Sequence, residues 1–353
     1  MSPRGERIFN IASSIVILLF AIGWSWSIAL ARGSITTRPA TQTTGILASA
    51  LTESDAPSMA YLTDATLGVV VPLRGESGKL RAQIENPGEH LPAATLPSGA
   101  VATYSSGTHA ESSAVLNAPQ KSGIWSLAIA IGNAIRPVTD FSVITLLPAS
   151  QKQSGRIGLY YIGNWPAGRV TPKADYTPPS GFIEVTQETQ NTQLSEHFKL
   201  RDFLPHDQQG VWPKYIVVKI QLVDKLELVL EDLNAHGIRS EGVRVLSGFR
   251  TPQYNATGGD PRGRAALSRH MYGDAADIFI DNDGNGAMDD LNHDGKVNID
   301  DARVILAAVN RVEAAHPSLI GGCGVYAGTA AHGPFTHIDA RGYPARWIGT
   351  GDN

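Results

Sequence analysis

Apolar and polar positions alternate over short stretches in the first half of the chain, where clusters of Gly, Pro, Asn and Ser separate them. Such stretches, spaced by about 10–20 residues, are typical of small antiparallel β-domains. We therefore expect an all-β, sandwich-like accessory domain over residues 58–165. Its predicted strands are Thr66–Leu73, Lys79–Glu85, Ala100–Ser105, Ile124–Ile131, Val138–Leu147 and Ile157–Tyr161.

A different period follows in the second half, where helix-like and strand-like segments are mixed. Apolar residues at steps of three and four predict a helix over Pro213–Ala235, which Gly237 ends. Val243–Leu246 alternates like a strand, and Ala302–Val312 has the apolar period of a helix. The pattern predicts a second domain over residues 181–353, joined to the first by a Pro-rich linker over residues 166–180.

The N-terminus has the features of an export segment. Arg4 and Arg7 precede an apolar run, Ile8–Ala31, that is long enough to span a bilayer. Its most apolar part is shorter, however, and Ala29-Leu30-Ala31 offers a small-x-small cleavage site. Residues 1–31 are therefore a cleaved signal peptide or a membrane anchor, and a buried hydrophobic helix is the less favoured alternative. Residues 32–57 would be a flexible linker, and residues 32–353 would lie outside the cytoplasm.

Composition excludes several classes of function. The chain is 42% hydrophobic, has a formal net charge of −4 and contains no dense Lys/Arg block, which argues against a nucleic-acid partner. Its single cysteine, Cys323, excludes an internal disulfide and a multi-cysteine metal site. We expect Cys323 to be a small buried residue, with a reactive or metal-binding role as the alternative.

His270 and Asp277 lie seven residues apart. On a helix they would be about 10.5 Å apart along the axis, too far for one ion, and on a straight strand they would point to opposite faces. A shared metal therefore requires a turn between them, which Gly273 can make. Ala275 and Ala276 are small enough to let the returning strand, which Asp277 would begin, approach closely. From spacing alone, a satisfied buried pair is as good an explanation as a metal site.

The residues around this pair match a longer motif. Ser268, His270, Gly273, Ala275 and Asp277 fill all positions of Ser-x-His-x-x-Gly-x-Ala-x-Asp. This segment resembles the signature of zinc peptidases that cleave bacterial wall peptides: D-Ala-D-Ala carboxypeptidases and dipeptidases, phage endolysin L-Ala-D-Glu endopeptidases and murein endopeptidases. The resemblance covers about residues 190–350, because three further segments also look like family motifs: Ser247-Gly248-Phe249-Arg250, Pro334–Asp339 and Ala345-Arg346-Trp347.

The resemblance implies an α+β catalytic domain, a small antiparallel sheet with helices as in hedgehog-like and D-Ala-D-Ala peptidase-like proteins. It also implies that zinc is held by His270, Asp277 and His337. Structural zinc is normally held by four residues, whereas three leave a position for water. Asp339, two residues beyond His337, and Ser268 would support the ligands; for Asp339, a structural hydrogen bond is equally open.

The general base is where the chain departs from part of the family. Endolysin and dipeptidase members carry an acidic residue three positions before the third ligand, where this chain has Pro334. His332 resembles the histidine of carboxypeptidase-type members, which implies a general base or intermediate stabiliser; a solvated loop histidine is the alternative. Arg250 would bind a substrate carboxylate or developing oxyanion, unless it forms a structural ion pair. His197 lacks a metal partner at a known spacing, so we expect it to be structural or to line the cleft.

An acidic insertion, residues 281–301, follows the predicted zinc strand, and two overlapping calcium-loop registers fit it. The first register uses Asp281, Asp283, Asn285 and Asp289, with Gly286 at the turn but only Asn292 at position twelve. The second resembles a dockerin-type loop, and we expect calcium there, with a second ion nearby left open and a solvated acidic loop as the alternative. Its ligands would be Asp290, Asn292, Asp294, the Lys296 carbonyl, Asn298 and Asp301.

These features together predict a zinc-dependent peptidase that hydrolyses peptidoglycan stem peptides or cross-links in a bacterial cell envelope or periplasm. It would act as a D,D-carboxypeptidase or as a murein endopeptidase, and the sequence does not distinguish the two. The alternative is a non-catalytic, zinc-containing wall-binding or scaffold protein. Besides peptidoglycan, the expected partner is the membrane, if the N-terminal segment is retained.

Overall fold

The structure is a computed structural model that describes residues 59–349, apart from 93, 167–169, 172–173, 259–263 and 330–331. The predicted export segment and the linker that follows it lie outside the described residues. Within residues 59–349, no helix combines the length and apolar character needed to cross a membrane.

The first part of the described chain is a helix packed on a five-stranded sheet. The elements are α1 (Met59–Leu73), β1 (Ala82–Glu85), β2 (Ala100–Ser106), β3 (His109–Ser113), β4 (Gly123–Ile131) and β5 (Ala134–Thr145). The strand order is β1-β5-β4-β2-β3, with β1 parallel to β5 and the other pairs antiparallel. Trp125, Leu127 and Val143 of the sheet share a core with Val69 and Leu73 of the helix.

Two predictions for this region are wrong. The segment Thr66–Leu73 is helical, because buried Leu62, Ala65, Val69 and Leu73 follow a helical period that extends beyond the short Val-rich run. The predicted sandwich also lacks its second sheet, since the described strands between residues 82 and 145 form one sheet and α1 supplies the other layer. The predicted strands at β2 and β4 are confirmed.

Short strands connect this region to the C-terminal part. They are β6 (Leu147–Pro148), β7 (Arg156–Ile157), β8 (Tyr160–Tyr161), β9 (Val170–Thr171), β10 (Ala174–Asp175), β11 (Gly181–Val185) and β12 (Lys214–Ile216). These strands form a three-stranded sheet in the order β12-β11-β6 and two small hairpins, β7-β8 and β10-β9.

The C-terminal part is a second five-stranded sheet with two long helices on one face. The elements are α2 (Ile220–Ala235), β13 (Val243–Ser247), α3 (Pro252–Thr257), β14 (Ala275–Ile280), α4 (Ile299–Ala315), β15 (Gly322–Tyr326), β16 (Phe335–Asp339) and β17 (Ala345–Gly349). The strand order is β13-β14-β16-β15-β17, and all pairs are antiparallel except the parallel pair β15/β17. This part of the chain mixes helices and strands, as expected.

Strand alternation gives this sheet one apolar face and one polar row. Ile278 and Ile338 belong to the core shared with α2 and α4. Their neighbours along the strands therefore project from the opposite face. Cross-strand pairing aligns those neighbours in one row that runs across all five strands: Ser247, Asp277, His337, Gly324 and Trp347.

The predicted helix over Pro213–Ala235 begins later than expected. Residues Lys214–Ile216 form β12 and pair with β11, and α2 begins at Ile220. The β-branched run at residues 216–218 favours this strand and the extended segment after it. The strands predicted at Val243–Leu246 and Asp277–Ile280 and the helix at Ala302–Val312 are confirmed, with each element slightly longer than predicted.

The core of the C-terminal part also takes in residues from the first region. Leu80, Ala82 and Ile144 pack in the same cluster as α2 and α4. Asp224 of α2 accepts hydrogen bonds from the backbone N–H groups of Glu76 and Ser77, at 2.8 and 3.0 Å. The predicted accessory region is thus joined to the second part by buried contacts.

Gly273 makes the turn that the spacing of His270 and Asp277 requires. It ends a 3-10 turn over Arg269–Tyr272 with a φ of 71°, in the left-handed region. A Cβ there would also lie 2.5 Å from the Val217 carbonyl oxygen. Both its conformation and its surroundings therefore require glycine at this position.

We expect Gly273→Ala to lower the free energy of unfolding by about 3 kcal/mol, through left-handed strain and overpacking together. Gly237→Ala is the matched control, because Gly237 also has a positive φ but has no atom within 4 Å of its would-be Cβ. The control should lose only about 1 kcal/mol. Denaturant unfolding of both variants measures the difference, and equal losses would contradict the predicted clash.

Candidate metal centre

Sheet register places two of the predicted ligands side by side. Asp277 on β14 and His337 on β16 are direct cross-strand partners. Both are buried, at 4% and 7% exposure. Direct partners in an antiparallel pair have Cβ atoms only about 5 Å apart, which is close enough for their side chains to meet at one point.

The third predicted ligand, His270, reaches the same point from the 3-10 turn before Gly273. Its Nδ1 lies 2.7 Å from the Gly248 carbonyl oxygen. That contact fixes the ring and leaves Nε2 directed at the other two ligands. The bend between His270 and Asp277 that the sequence required is therefore present.

Three ligand atoms converge. His270 Nε2 lies 3.2 Å from Asp277 Oδ1 and 3.1 Å from His337 Nδ1. His337 Nδ1 lies 2.8 Å from the same Asp277 oxygen. Since Zn–N and Zn–O bonds are about 2.0–2.2 Å, neighbouring ligand atoms of tetrahedral zinc lie about 3.3 Å apart. The three observed separations are close to that value.

The hydrogen bonds on the far sides of the rings make this a metal-accepting set. His270 Nδ1 donates to Gly248, and His337 Nε2, 3.1 Å from Asp339 Oδ2, donates to that carboxylate. His270 Nε2 and His337 Nδ1 therefore direct lone pairs at each other and at Asp277 Oδ1. Because lone pairs at this distance repel one another, the cluster needs one shared proton or one cation between them. This buried His-Asp-His group could hold a metal ion.

Charge around the site keeps Asp277 ionised. Burial alone would raise its pKa, but the Arg250 guanidinium and the hydrogen bond from His337 hold that pKa well below its usual range. Arg250 Nη2 lies 2.6 Å from Asp277 Oδ2, and Arg250 Nε donates to Ser247 Oγ at 2.8 Å. The structure thus places Arg250 in an ion pair with Asp277, which is the alternative role considered for it.

Asp339 has the supporting position expected of it. Besides His337, it accepts hydrogen bonds from the Gly322 N–H at 2.7 Å and from Arg341 Nε at 2.8 Å. Burial alone would raise its pKa, but the bonds from His337 and Arg341 lower it strongly. Arg341 was missed in the sequence, although it continues the every-second-residue pattern of His337 and Asp339.

A buried ion pair lies beneath Asp339. Lys225 of α2 donates to Glu313 of α4 at 2.6 Å and to the Asp339 carbonyl oxygen at 2.7 Å. Glu313 also accepts from Arg346 Nη2 at 2.5 Å. No local sequence pattern predicts this network, because Lys225 lies on the predicted helix with no charge partner three or four residues away. It ties both helices to the strand that carries His337.

The predicted general base does not contact the ligands. His332 is half-buried in the β15–β16 connection, where its Nδ1 lies 2.8 Å from the Gly333 carbonyl oxygen. Its ring packs edge-on against Phe335, with centroids 4.9 Å apart. Among the described residues, it makes no hydrogen bond to His270, Asp277 or His337. Pro334, three residues before His337, is buried.

Aromatic side chains flank the third ligand, and the sequence motif hinted only at Trp347. Its ring centroid is 5.2 Å from that of His337, and its Nε1 donates to Tyr326 Oη at 2.9 Å. Tyr326 in turn stacks on Phe335 at 4.4 Å. Gly324 makes room for this arrangement, because a Cβ there would lie 2.2 Å from the Trp347 ring.

Comparison of the chain with protein-family models, with curated proteins and with solved structures found no match.

The remaining predicted residues lie apart from the ligand atoms. Ser268 is buried and precedes the turn that carries His270, where its carbonyl accepts from the Met271 N–H. His197 Nδ1 lies 2.8 Å from Glu227 of α2, as expected for a structural histidine. Cys323 is buried in the core, as predicted, and burial raises the pKa of its thiol to about 12.

The acidic insertion contains the two predicted registers as successive turns. The carboxylates of Asp281, Asp283 and Asp289, all from the first register, offer oxygens within 4.8 Å of one another. In the second register, Asp301 accepts from the N–H groups of Leu291 at 2.8 Å and Asn298 at 2.7 Å, and it caps α4. Calcium in the second register remains a prediction.

We expect zinc binding to release about one proton, because zinc replaces the proton shared between His337 and Asp277. Burial alone would lower the pKa of His337, but its bonds to Asp277 and Asp339 raise it. Burial and Arg250 lower the pKa of His270, which is therefore neutral. Zinc affinity should thus rise as the pH increases from about 6 to 8. Calorimetry in buffers of different ionisation enthalpy measures the proton count, and a pH-independent affinity would contradict this.

Asp339→Ala should weaken zinc binding by about 10- to 100-fold, as measured when other outer hydrogen-bond partners of zinc ligands are removed. Asp300→Ala is the matched control, because the Asp300 side chain is about half exposed on α4 and forms its ion pair with Arg303. A competitive zinc titration reports both variants. Unchanged affinity in Asp339→Ala would show that Asp339 does not orient His337.

Proposed function

We propose that this chain is a zinc-dependent peptidase that hydrolyses peptide bonds in bacterial peptidoglycan. The observation that carries the proposal is the convergence of three lone-pair atoms, from His270, Asp277 and His337, with no fourth His, Cys, Asp or Glu grouped with them among the described residues. Three-ligand zinc sites with an open position are the catalytic kind. Zinc bound there would supply activation of a water and of the scissile carbonyl.

Arg250 has a donor left for substrate. Its Nη2 and Nε are used by Asp277 and Ser247, whereas Nη1 makes no hydrogen bond to a described residue. Because the guanidinium is held rigidly beside the ligands, its remaining N–H groups can bind a substrate carboxylate or an oxyanion. The ion pair to Asp277 and the substrate role are therefore compatible.

The aromatic side chains provide a wall for the substrate on the other side. Trp347 and Tyr326 are half-buried and linked by a hydrogen bond beside His337. Arg341 lies over the Trp347 ring at 5.4 Å and over Tyr343 at 5.5 Å. Such flat, partly exposed surfaces suit extended peptides and the sugars to which stem peptides are attached.

The finer fold assignment belongs to the same proposal. Ligands on adjacent central strands of a small sheet, with helices on the other face, agree with the D-Ala-D-Ala peptidase-like and hedgehog-like fold that the motifs implied. We also place the reaction outside the cytoplasm, in the envelope, because of the N-terminal segment Arg4–Ala31. Depending on cleavage, the protein would be secreted or anchored in the membrane.

A non-catalytic wall-binding protein that retains zinc is the second candidate, and one observation favours it. His332, the base that the sequence predicts, points its Nδ1 at the Gly333 carbonyl and packs on Phe335. For catalysis we propose that the His332 side chain turns toward bound substrate. If it does not, the site would bind wall peptides without cutting them.

We expect the full-length protein, loaded with zinc, to hydrolyse purified muropeptides. Asp277→Ala and His337→Ala should each lower kcat/KM by at least about 1,000-fold, because each removes one of three zinc ligands. His109→Ala is the control, since His109 is exposed on β3. Mass spectrometry of the products distinguishes loss of a terminal D-Ala from cleavage within a stem peptide or cross-link.

Two outcomes would contradict this function. Equal hydrolysis by wild type, Asp277→Ala and His337→Ala would place the activity elsewhere. Muropeptide binding by the wild type without turnover would favour the wall-binding protein.

A separate His332→Ala variant tests the proposed base. A lower kcat with unchanged zinc affinity would support a role for His332 in proton transfer.

A further inference from the structure

The insertion between β14 and α4 holds three carboxylates close together. Asp281, Asp283 and Asp289 each offer an oxygen within 4.8 Å of the other two. The single cationic side chain bonded to them among the described residues is Arg244, whose Nε lies 3.3 Å from Asp281 Oδ2. Like charges at this distance repel one another, so the cluster retains an excess of negative charge.

One oxygen of this cluster is buried without a partner. Asp281 is 3% exposed, and its Oδ1 has no hydrogen-bond partner among the described residues. Its other oxygen, Oδ2, accepts from the Gly286 N–H at 3.2 Å and from Arg244. Burial alone would raise the pKa of Asp281, but these two bonds lower it, so the carboxylate is ionised. A buried charged oxygen left without a partner is costly.

We propose that residues 281–289 form a calcium site. Its ligands would be the carboxylates of Asp281, Asp283 and Asp289, the Asn285 side-chain oxygen and the Ala287 carbonyl. Calcium takes six to eight oxygen ligands in flexible geometry, and this all-oxygen set with three carboxylates matches that preference. The ion would bind the orphaned Asp281 oxygen and neutralise the cluster. This proposal is independent of the peptidase function.

The neighbouring register lacks this combination. Asp283 and Asn285 of the first turn accept backbone N–H bonds just as Asp290 and Asp294 of the second do, so these bonds do not separate the two registers. Among the described residues, however, no three carboxylates of the second register offer oxygens within 4.8 Å of one another, and no carboxylate oxygen there is buried without a partner. The first turn, rather than the second, is therefore the one whose geometry calls for an ion.

The site would brace the segment that leaves the zinc strand. Asp281 directly follows Ile280 of β14, four residues after the ligand Asp277. Met288, within the same turn, is buried in the core, and a Cβ on Gly333 would lie 3.9 Å from its backbone nitrogen. A bound ion would thus fix backbone that packs beside the connection carrying His332.

Calcium titration of the full-length protein, purified in detergent and loaded with zinc, tests the proposal by calorimetry. Wild type should bind calcium saturably. Asp283→Asn and Asn285→Ala should each weaken that site by at least tenfold, and both residues are exposed, so folding should be unaffected. Asp294→Asn, an equally exposed acidic residue of the second register, is the matched control and should retain the site.

If the protein binds two calcium ions, Asp283→Asn should remove one of them and Asp294→Asn should not remove the same one. No calcium binding by wild type would overturn the proposal, as would loss in Asp294→Asn with full binding in Asp283→Asn. Magnesium at the same concentration should bind at least tenfold more weakly, since it demands stricter geometry and keeps its waters. Equal magnesium binding would also overturn the assignment.

Discussion

The structure of the candidate metal centre depends on one cross-strand pair. Asp277 and His337 face each other because β14 and β16 pair in the register that aligns them. A slip of one residue in either strand would turn that strand's Asp277 or His337 into the core and bring Ile278 or Ile338 to the site. The apolar face shared with α2 and α4 makes such a slip costly, so burial on one face specifies the chemistry on the other.

Buried charges add to that specification. Lys225 and Glu313 join the two helices. Lys225 also donates to the Asp339 carbonyl oxygen, and Glu313 also accepts from the Gly321 N–H just before β15. Desolvation makes a buried ion pair a weak source of net stability. Its geometric demands are strict, however. We infer that the pair restrains the position of β16 and therefore the orientation of His337.

Local patterns predicted much of this part of the chain and less of the rest. The motif around His270 predicts the turn, the strand and two of the three candidate ligands, because Gly273 and the two alanines act within a few residues of one another. The Lys225–Glu313 pair spans 88 residues and leaves no local trace. In the first region, the short Val-rich run by itself predicts a strand, although buried positions over Leu62–Leu73 form a helical stripe. The role of His332 depends on side-chain direction, which spacing does not encode.

Diffraction data collected on both sides of the zinc absorption edge, from crystals of the zinc-loaded protein, test the proposed zinc site most directly. We expect one strong anomalous peak within about 2.0–2.2 Å of His270 Nε2, Asp277 Oδ1 and His337 Nδ1, with a fourth position open to solvent. A peak at His337 Nε2, a fourth protein ligand, or no peak between these three residues would contradict it.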